Sequence, residues 1–577
     1  MLKSNQSSPV NSPEWATAYS KAKLLVAKLT LSQKVGLATG EGFFTGNCTG
    51  NIPAIPSINF PGLCLEDSAL GVRDVDLNSA FPAGINIAAT FNRTLMNQRG
   101  VAMGAEFRGK GVNIQLGPFM NIMRIPASGR AWEGWGGDPY LSGEGAYETI
   151  TGIQSQGVQA TAKHFINNEQ EHSRSSSSSN VDDRNMKSIW HHVQANVAAV
   201  MCSYNQINGT YACANNGTLM GLLKGELGFQ GYVMSDWYAT HDTTDPNAGL
   251  DMSMPGDILP GIGTYFGAAL EAAVVLGSVS QARINVGSSL LCTPGFVPSD
   301  LCCVQDMATR ILAAWERRGP QPERNKRLYR SLLQSGYPRN GMGKRPLDAI
   351  TNRSAIDGTT ISSTLSDTDL ATAAATAAGK PVAFVFITAD SGEFGYIVEG
   401  NAADRNNLDA WHGGDALVEA VAAVNNNTIV VVHTVGPIIV DAWIQNPNVT
   451  ALVWAGLPGQ EAGNALVDVL YGAYNPSARL PYTIAKSESD YPATINTEFS
   501  LSTVEIPYSE GLNVDYRHFD SNVCPTHSLT PQANITPRYE FGFGLSYTTF
   551  AYSGLSISGS MPSYTPLRTV GSSLDPV

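Results

Sequence analysis

The strongest constraint on this chain is a rhythm in its first half, where short apolar runs alternate with amphipathic stretches of helical period. Candidate strands lie around Gly62–Leu65, Val112–Leu116, Val158–Ala162, Val197–Met201 and Tyr232–Met234. Helical patterns such as Leu95–Lys110, Tyr140–Gln156 and Leu219–Leu227 fall between them. Strands alternating with helices of this length build parallel βα units. Five or more units in a region of this size favour a closed (β/α)8 barrel. Helices over residues 15–30, from Leu31-Ser32 onward and over Leu301–Trp315 flank them.

The residues at the end of each apolar run narrow the chemistry. The first runs into Glu66-Asp67, with Arg73 close behind, and the second leads through a long loop to Arg130 within Gly129–Gly134. The third ends in Lys163-His164, the fourth in Ser203-Tyr204-Asn205 and the fifth in Asp236-Trp237. In a parallel barrel these ends share one face, where the loops build a site. A carboxylate at a strand end followed by an indole suits sugar chemistry, since the acid can attack an anomeric carbon and the ring can cover a pyranose. An Asp after a strand is also a common cap or turn residue. The recurrence at five successive strand ends favours the functional reading of Asp236.

The second half has its own pattern. Ala371–Ala378 reads as a helix, while Val382–Ile387, Thr428–His433 and Val449–Trp454 read as buried strands separated by helices such as Ala416–Val424. This is a second α/β layered domain with a largely parallel sheet. The expected division is a barrel over residues 12–315, a basic, Pro-rich linker over 316–366, an α/β sandwich over 367–552 and a polar tail over 553–577. Residues 173–180, SRSSSSSN, read as a solvated low-complexity loop.

At 577 residues the chain is too long for one core. Its net charge of −13 argues against a nucleic-acid partner. No apolar run of membrane-spanning length occurs, so no membrane partner is expected. Nine N-x-S/T acceptors, at Asn5, Asn47, Asn92, Asn208, Asn216, Asn352, Asn426, Asn448 and Asn534, point to secretion. So do two short-range cysteine pairs, Cys48 with Cys64 and Cys202 with Cys213. The pairing of Cys292, Cys302, Cys303 and Cys524 does not follow from the sequence. The polar N-terminus lacks the apolar core of a signal peptide, which suggests a reading frame that has lost one.

The runs LEDSALGVR, GRAWEG, ATAKHF with NNEQE, VMCSYN, GYVMSDW, ITADSGE, DRNNL, VWAGLPGQEAGNALVDVLYG and PRYEFGFGLSYT occur in this order. Together they resemble fungal β-glucosidases of glycoside hydrolase family 3. The resemblance implies a TIM-barrel-like domain followed by an α/β sandwich, and retaining hydrolysis of terminal β-D-glucosyl residues without cofactor or metal. It implies Asp236 as nucleophile and Glu393, from the SGE motif, as acid/base. Asp67, Arg130, Lys163, His164, Met201, Tyr204 and Trp237 are implied to hold the sugar. Phe394 stands where the family usually has glycine directly after that glutamate, so Glu399 is the alternative acid. Nearby cations are expected to keep Asp236 ionised, while Glu393 should have a raised pKa, as an acid requires.

Three departures qualify the resemblance. The family carries a longer segment between Trp315 and Asp367, and Asp182–Val193 is several residues shorter than its pattern. The chain also ends soon after GFGLSYTTF, so the family's fibronectin-III-like domain is expected to be absent. The alternatives are a catalytically impaired remnant that at most binds sugars, or a β-xylosidase. Aglycone preference and oligomeric state are not encoded legibly.

Overall fold

Strands β1 (Gly50–Ile52), β2 (Leu63–Asp67), β3 (Ile114–Leu116), β4 (Gln159–Phe165), β5 (Ser177–Asn180), β6 (Ala199–Cys202), β7 (Gln206–Ile207), β8 (Thr210–Tyr211) and β9 (Tyr232–Ser235) succeed one another through the first half. They belong to a computed structural model that describes residues 12–556 apart from 43–45, 47, 74, 182–192, 260–261, 280–302, 318–344, 399, 499, 501, 524–534, 550, 552 and 555. Six of the strands form one sheet in the order β1-β2-β3-β4-β6-β9. Single-residue bridges continue it from Met234 to Met252, from Ser253 to Thr39 and from Glu41 to Asn51, bringing the sheet round to β1.

β1 runs antiparallel to β2, and the remaining neighbours in the six-stranded sheet are parallel. The five expected strands pair in parallel, and the antiparallel β1 is not among them. Its direction is set by the short connection from Ile52 to Leu63, which has no room for a crossover helix. The Cys48–Cys64 disulfide ties the chain just before β1 to β2, and Cys202–Cys213 closes a loop after β6. Both pairings match the sequence expectation.

Successive residues of these strands enter different cores, as a period of two requires. Leu63, Leu65, Met201, Tyr232 and Met234 pack in one apolar cluster, while Cys64, Val200 and Val233 pack in another with helical residues such as Phe107 and Ile153. Both faces are buried, which explains why the strands read as continuous apolar runs.

Helices Arg93–Gly109 and Pro139–Ser155 cover this sheet side by side. Asn92 and Asp138 cap them, each side chain accepting a backbone N–H of the first turn. Their backbones touch: a Cβ on Gly152 would lie 2.5 Å from Asn97 O, and one on Gly100 2.6 Å from Thr149 O.

In the second half, strands Ala383–Ala389, Thr428–Thr434 and Val449–Trp454 form a parallel sheet in that order. Helices Leu370–Ala377 and Gly414–Ala422 share one core with Val385, Ile387, Val430 and Val432. The other face is covered by Ala462–Leu470 and by a helix over Pro346–Asp357, inside the stretch expected to be a linker. Pro346 opens that helix, and Gly358, at φ 71°, closes it. Ala349 and Ile350 are its buried contribution.

The serine run also departs from expectation. Ser177–Asn180 is β5, and Ser178 is 0% exposed. It pairs in parallel with Val504–Pro507 from the far end of the chain and with β7 on its other side. Its hydroxyls are satisfied locally: Ser179 Oγ donates to Asn167 O (3.0 Å) and Ser178 Oγ to Asn180 Oδ1 (2.8 Å). Serine is tolerated in a core on that condition.

The helix contact supplies a test. Gly152→Ala would gain about 1 kcal/mol of helix propensity, but overpacking against Asn97 O costs about 1–3 kcal/mol. A lower melting temperature is expected; a raised one would mean that the two helices do not meet at this glycine.

Candidate active site

The C-terminal ends of β2, β4, β6 and β9 converge on one rim, as parallel pairing demands. Asp67 ends β2, Lys163 and His164 lie near the end of β4, Tyr204 comes just after β6 and Asp236 with Trp237 just after β9. Arg130 comes from the loop after β3, beside the short helix Ala131–Glu133.

Asp67 receives Lys163 Nζ at 2.8 Å on Oδ1 and Arg73 on Oδ2. Burial alone would raise its pKa, but Lys163 and Arg73 outweigh it and hold the carboxyl well below the usual range. Asp236 is buried, and its Oδ1 accepts a hydrogen bond from Tyr204 Oη at 3.0 Å. Its Oδ2 lies 3.3 Å from His164 Nε2, yet among the described residues that oxygen completes no hydrogen bond. Burial pushes the His164 pKa well down, and Arg130, Lys163 and Arg174 add to the effect, so the imidazole is neutral. Trp237 is half-buried, and β1 passes so close that a Cβ on Gly50 would lie 3.0 Å from the indole. Met201 is 1% exposed and belongs to the core cluster with Met234, so it backs the site from beneath.

The second half contributes the loop after strand Ala383–Ala389. Ser391 Oγ donates to Gly129 O at 2.8 Å, and a Cβ on Gly129 would lie 2.4 Å from Gly392 O. Glycine at 129 permits that approach, which brings Glu393 to the rim. Glu393 Oε1 accepts from Arg174 Nη1 (2.8 Å) and Arg130 Nη1 (3.3 Å). Arg130 also holds Glu133 through Nε (2.6 Å) and Nη2 (3.3 Å), so the pairing with Glu133 coexists with its reach into the site. Glu399 lies outside the described residues.

The protonation pattern reverses the expected one. Burial raises the Asp236 pKa to about 6, and Arg130 only partly opposes it. Burial would raise Glu393 too, but Arg130 and Arg174 overcome it and leave the pKa lowered. The sequence placed one arginine beside these acids; the structure places two.

Arg174, Glu171 and Asp404 are the participants that sequence reading missed. Arg174 sat in the apparent low-complexity run, Glu171 in the NNEQE motif and Asp404 in DRNNL. Glu171 Oε2 accepts from Arg174 Nη1 (2.7 Å) and from Phe394 N (3.0 Å). Asp404, 0% exposed, accepts from Gly129 N (2.7 Å), Glu171 N (2.8 Å) and His172 N (2.8 Å), and its Oδ2 lies 2.9 Å from His172 Nδ1. Three backbone donors converging on a carboxylate was a signal that only tertiary structure could supply.

Known proteins resemble this chain in sequence and fold. The description "Glycosyl hydrolase family 3 N terminal domain" matches residues 56–285, and "Glycosyl hydrolase family 3 C-terminal domain" matches residues 329–547. Probable beta-glucosidase L of Aspergillus terreus is 45% identical over 94% of this chain and 80% of its own length. Beta-glucosidase cel3A of Pyricularia oryzae is 41% identical over 95% of this chain and 80% of its own. The solved structure of beta-D-glucoside glucohydrolase from Trichoderma reesei superposes with a TM-score of 0.83 at 42% identity, covering 94% of this chain and 82% of that one. The fold is that of a two-domain α/β glycoside hydrolase. The chain belongs to glycosyl hydrolase family 3.

Asp404 generates two expectations. Asp404→Ala strands three N–H donors, two of them buried, and should cost about 2 kcal/mol or more, read as a lower melting temperature. The hydrogen bond to Asp404 raises the His172 pKa above its ordinary 6.5. The stability it adds is therefore complete below 6.5 and lost as pH rises through the elevated folded value. His172→Asn should lower the melt at about pH 5.5 more than at about pH 8.5; equal losses would show that the ring's charge adds nothing.

Proposed function

We propose that this chain is a retaining, exo-acting β-glucosidase, hydrolysing terminal non-reducing β-D-glucosyl residues of cello-oligosaccharides and aryl β-glucosides. The observation that carries this reading is the asymmetric setting of Asp236. One oxygen is fixed by the Tyr204 hydroxyl and, among the described residues, the other has no hydrogen-bond partner, within electrostatic reach of a glutamate delivered by the second half of the chain. The named β-glucosidases among its relatives support the same substrate class. In this reading the closed first-half sheet is a variant of the (β/α)8 barrel with an antiparallel opening strand.

Asp236 Oδ2 attacks the anomeric carbon as the bond to the leaving oxygen breaks, and Glu393 gives that oxygen its proton. Glu393 then takes a proton from water, the water oxygen attacks the anomeric carbon, and Asp236 leaves with glucose released. Tyr204 Oη stabilises the departing carboxylate through Oδ1. Asp67, Arg130, Lys163 and His164 supply charged and neutral groups for the sugar hydroxyls, Trp237 supplies a stacking face and Met201 an apolar backing. Two carboxyl groups complete the cycle, so the proposal needs no metal or cofactor.

Secretion is part of the proposal. Asn92, Asn208, Asn216, Asn352 and Asn426 are exposed acceptors, and two disulfides are present. Among the described residues no helix is long and apolar enough to cross a membrane. The net charge of −13 suits a neutral small-molecule substrate rather than nucleic acid.

The productive form needs Asp236 ionised and Glu393 protonated, yet the pKa values lie in the opposite order. It is then a minority form whose population is flat between the two values and declines outside them. Expected kcat/KM on an alkyl β-glucoside therefore falls as pH rises above about 6, the value to which burial lifts Asp236. An optimum above about pH 7 would overturn the assignment. Asp236→Asn should lower hydrolysis of an aryl β-glucoside on the order of 10³-fold or more; an undiminished rate would remove Asp236 from the mechanism.

A further inference from the structure

Resting on that reading, we propose that Arg174 is a positioning residue that couples the two reacting carboxyl groups and sets how readily Glu393 carries the catalytic proton. Its Nη1 bonds Glu393 Oε1 at 2.8 Å and Glu171 Oε2 at 2.7 Å. Its guanidinium lies over the Tyr204 ring, 4.1 Å from the centroid, and the hydroxyl of that ring holds Asp236 Oδ1. One side chain thus touches the acid directly and the nucleophile through a single intermediary.

Arg174 is held in place on several sides. Its backbone N donates to Glu171 O at 3.2 Å, and three residues later the chain enters β5, locked between β7 and Val504–Pro507. The Phe394 ring lies 5.1 Å from its guanidinium, and the Phe394 N–H is fixed by Glu171. Phe394, at φ 45°, immediately follows Glu393, so the same network that anchors Arg174 fixes the backbone presenting the acid.

Among the described residues, Glu393 meets Arg130, Arg174, Asp67 and Tyr204; Glu171 meets Arg130, Arg174, Glu393, Asp404 and His172. Asp236 meets Arg130, Glu393, Lys163 and Arg174, beside neutral His164. Each arginine divides its hydrogen bonds between Glu393 and a second glutamate, Glu133 for Arg130 and Glu171 for Arg174, and Arg174 makes the shorter bond to Glu393. Proton transfer to the leaving oxygen requires a protonated Glu393, and the Arg174 ion pair opposes that state.

The experiment compares wild type, Arg174→Met and Arg174→Lys on two substrates. An alkyl β-glucoside has a leaving group that needs the proton, and 2,4-dinitrophenyl β-glucoside has one that does not. In R174M the acid limb of kcat/KM on the alkyl glucoside is expected to move up by about one pH unit or more, because the pairing cation is gone. The dinitrophenyl profile, governed by Asp236 ionisation, should shift less. R174K keeps a point charge without the planar stack, so its limb should fall between the other two. Limbs at wild-type positions in both variants, with activity lost equally on both substrates or unchanged on both, would overturn the proposal. A wild-type protein inactive on both glucosides would instead overturn the function on which it rests. A melting temperature for each variant identifies unfolding, and if R174M unfolds, the R174K limb decides.

Discussion

The Asp404 carboxylate is the joint on which the site depends. A fully buried carboxylate is costly unless its oxygens are occupied. Here they take the backbone N–H of Gly129, Glu171 and His172, with the His172 ring alongside. Those donors belong to two different loops of the first half. One loop carries Arg130, the other carries Glu171 and leads into Arg174, and Asp404 itself comes soon after Glu393. A single side chain therefore fixes the relative positions of both arginines and the acid they grip. Arg405 reinforces the joint by donating to Pro126 O at 2.7 Å and Pro437 O at 2.9 Å.

With that geometry fixed, electrostatics decides where protons rest. Asp236 is buried, its carboxylate taking one hydrogen bond among the described residues, while Glu393 meets two guanidinium groups on one oxygen. The consequence is that burial leaves Asp236 the more readily protonated of the two carboxyl groups, while the two guanidinium groups favour the ionised form of Glu393.

The strands and their terminal residues were legible because a parallel strand buried on both faces leaves a continuous apolar signal, and its end exposes a polar residue. Asp236, Tyr204, Lys163 and His164 announced themselves in this way. The disulfides were legible from their short spacing. The serine strand was not, because burial of Ser177–Ser179 depends on hydroxyl partners and a neighbouring strand hundreds of residues away. Arg174 was hidden with it. The helix Pro346–Asp357 was missed although Pro346 and Gly358 mark its ends, since basic and proline-rich neighbours masked a short apolar stripe. The protonation order was misread for a related cause: cations near Asp236 were visible in the sequence, but the second arginine on Glu393 was not.

The pairing of Ser177–Asn180 with Val504–Pro507 also governs the order in which the molecule can assemble. Asn180 and Glu505, whose side chains hydrogen-bond, are 325 residues apart in sequence. Closing so long a loop carries an entropic cost that local helices and hairpins do not face. During synthesis the first half emerges long before its partner strand exists, leaving one edge of β5 unpaired. The platform that seats Arg174 is completed only when the C-terminal part of the chain arrives. Late completion of that edge makes the rim around Asp236 and Glu393 a product of the whole chain rather than of the domain that contributes most of its residues.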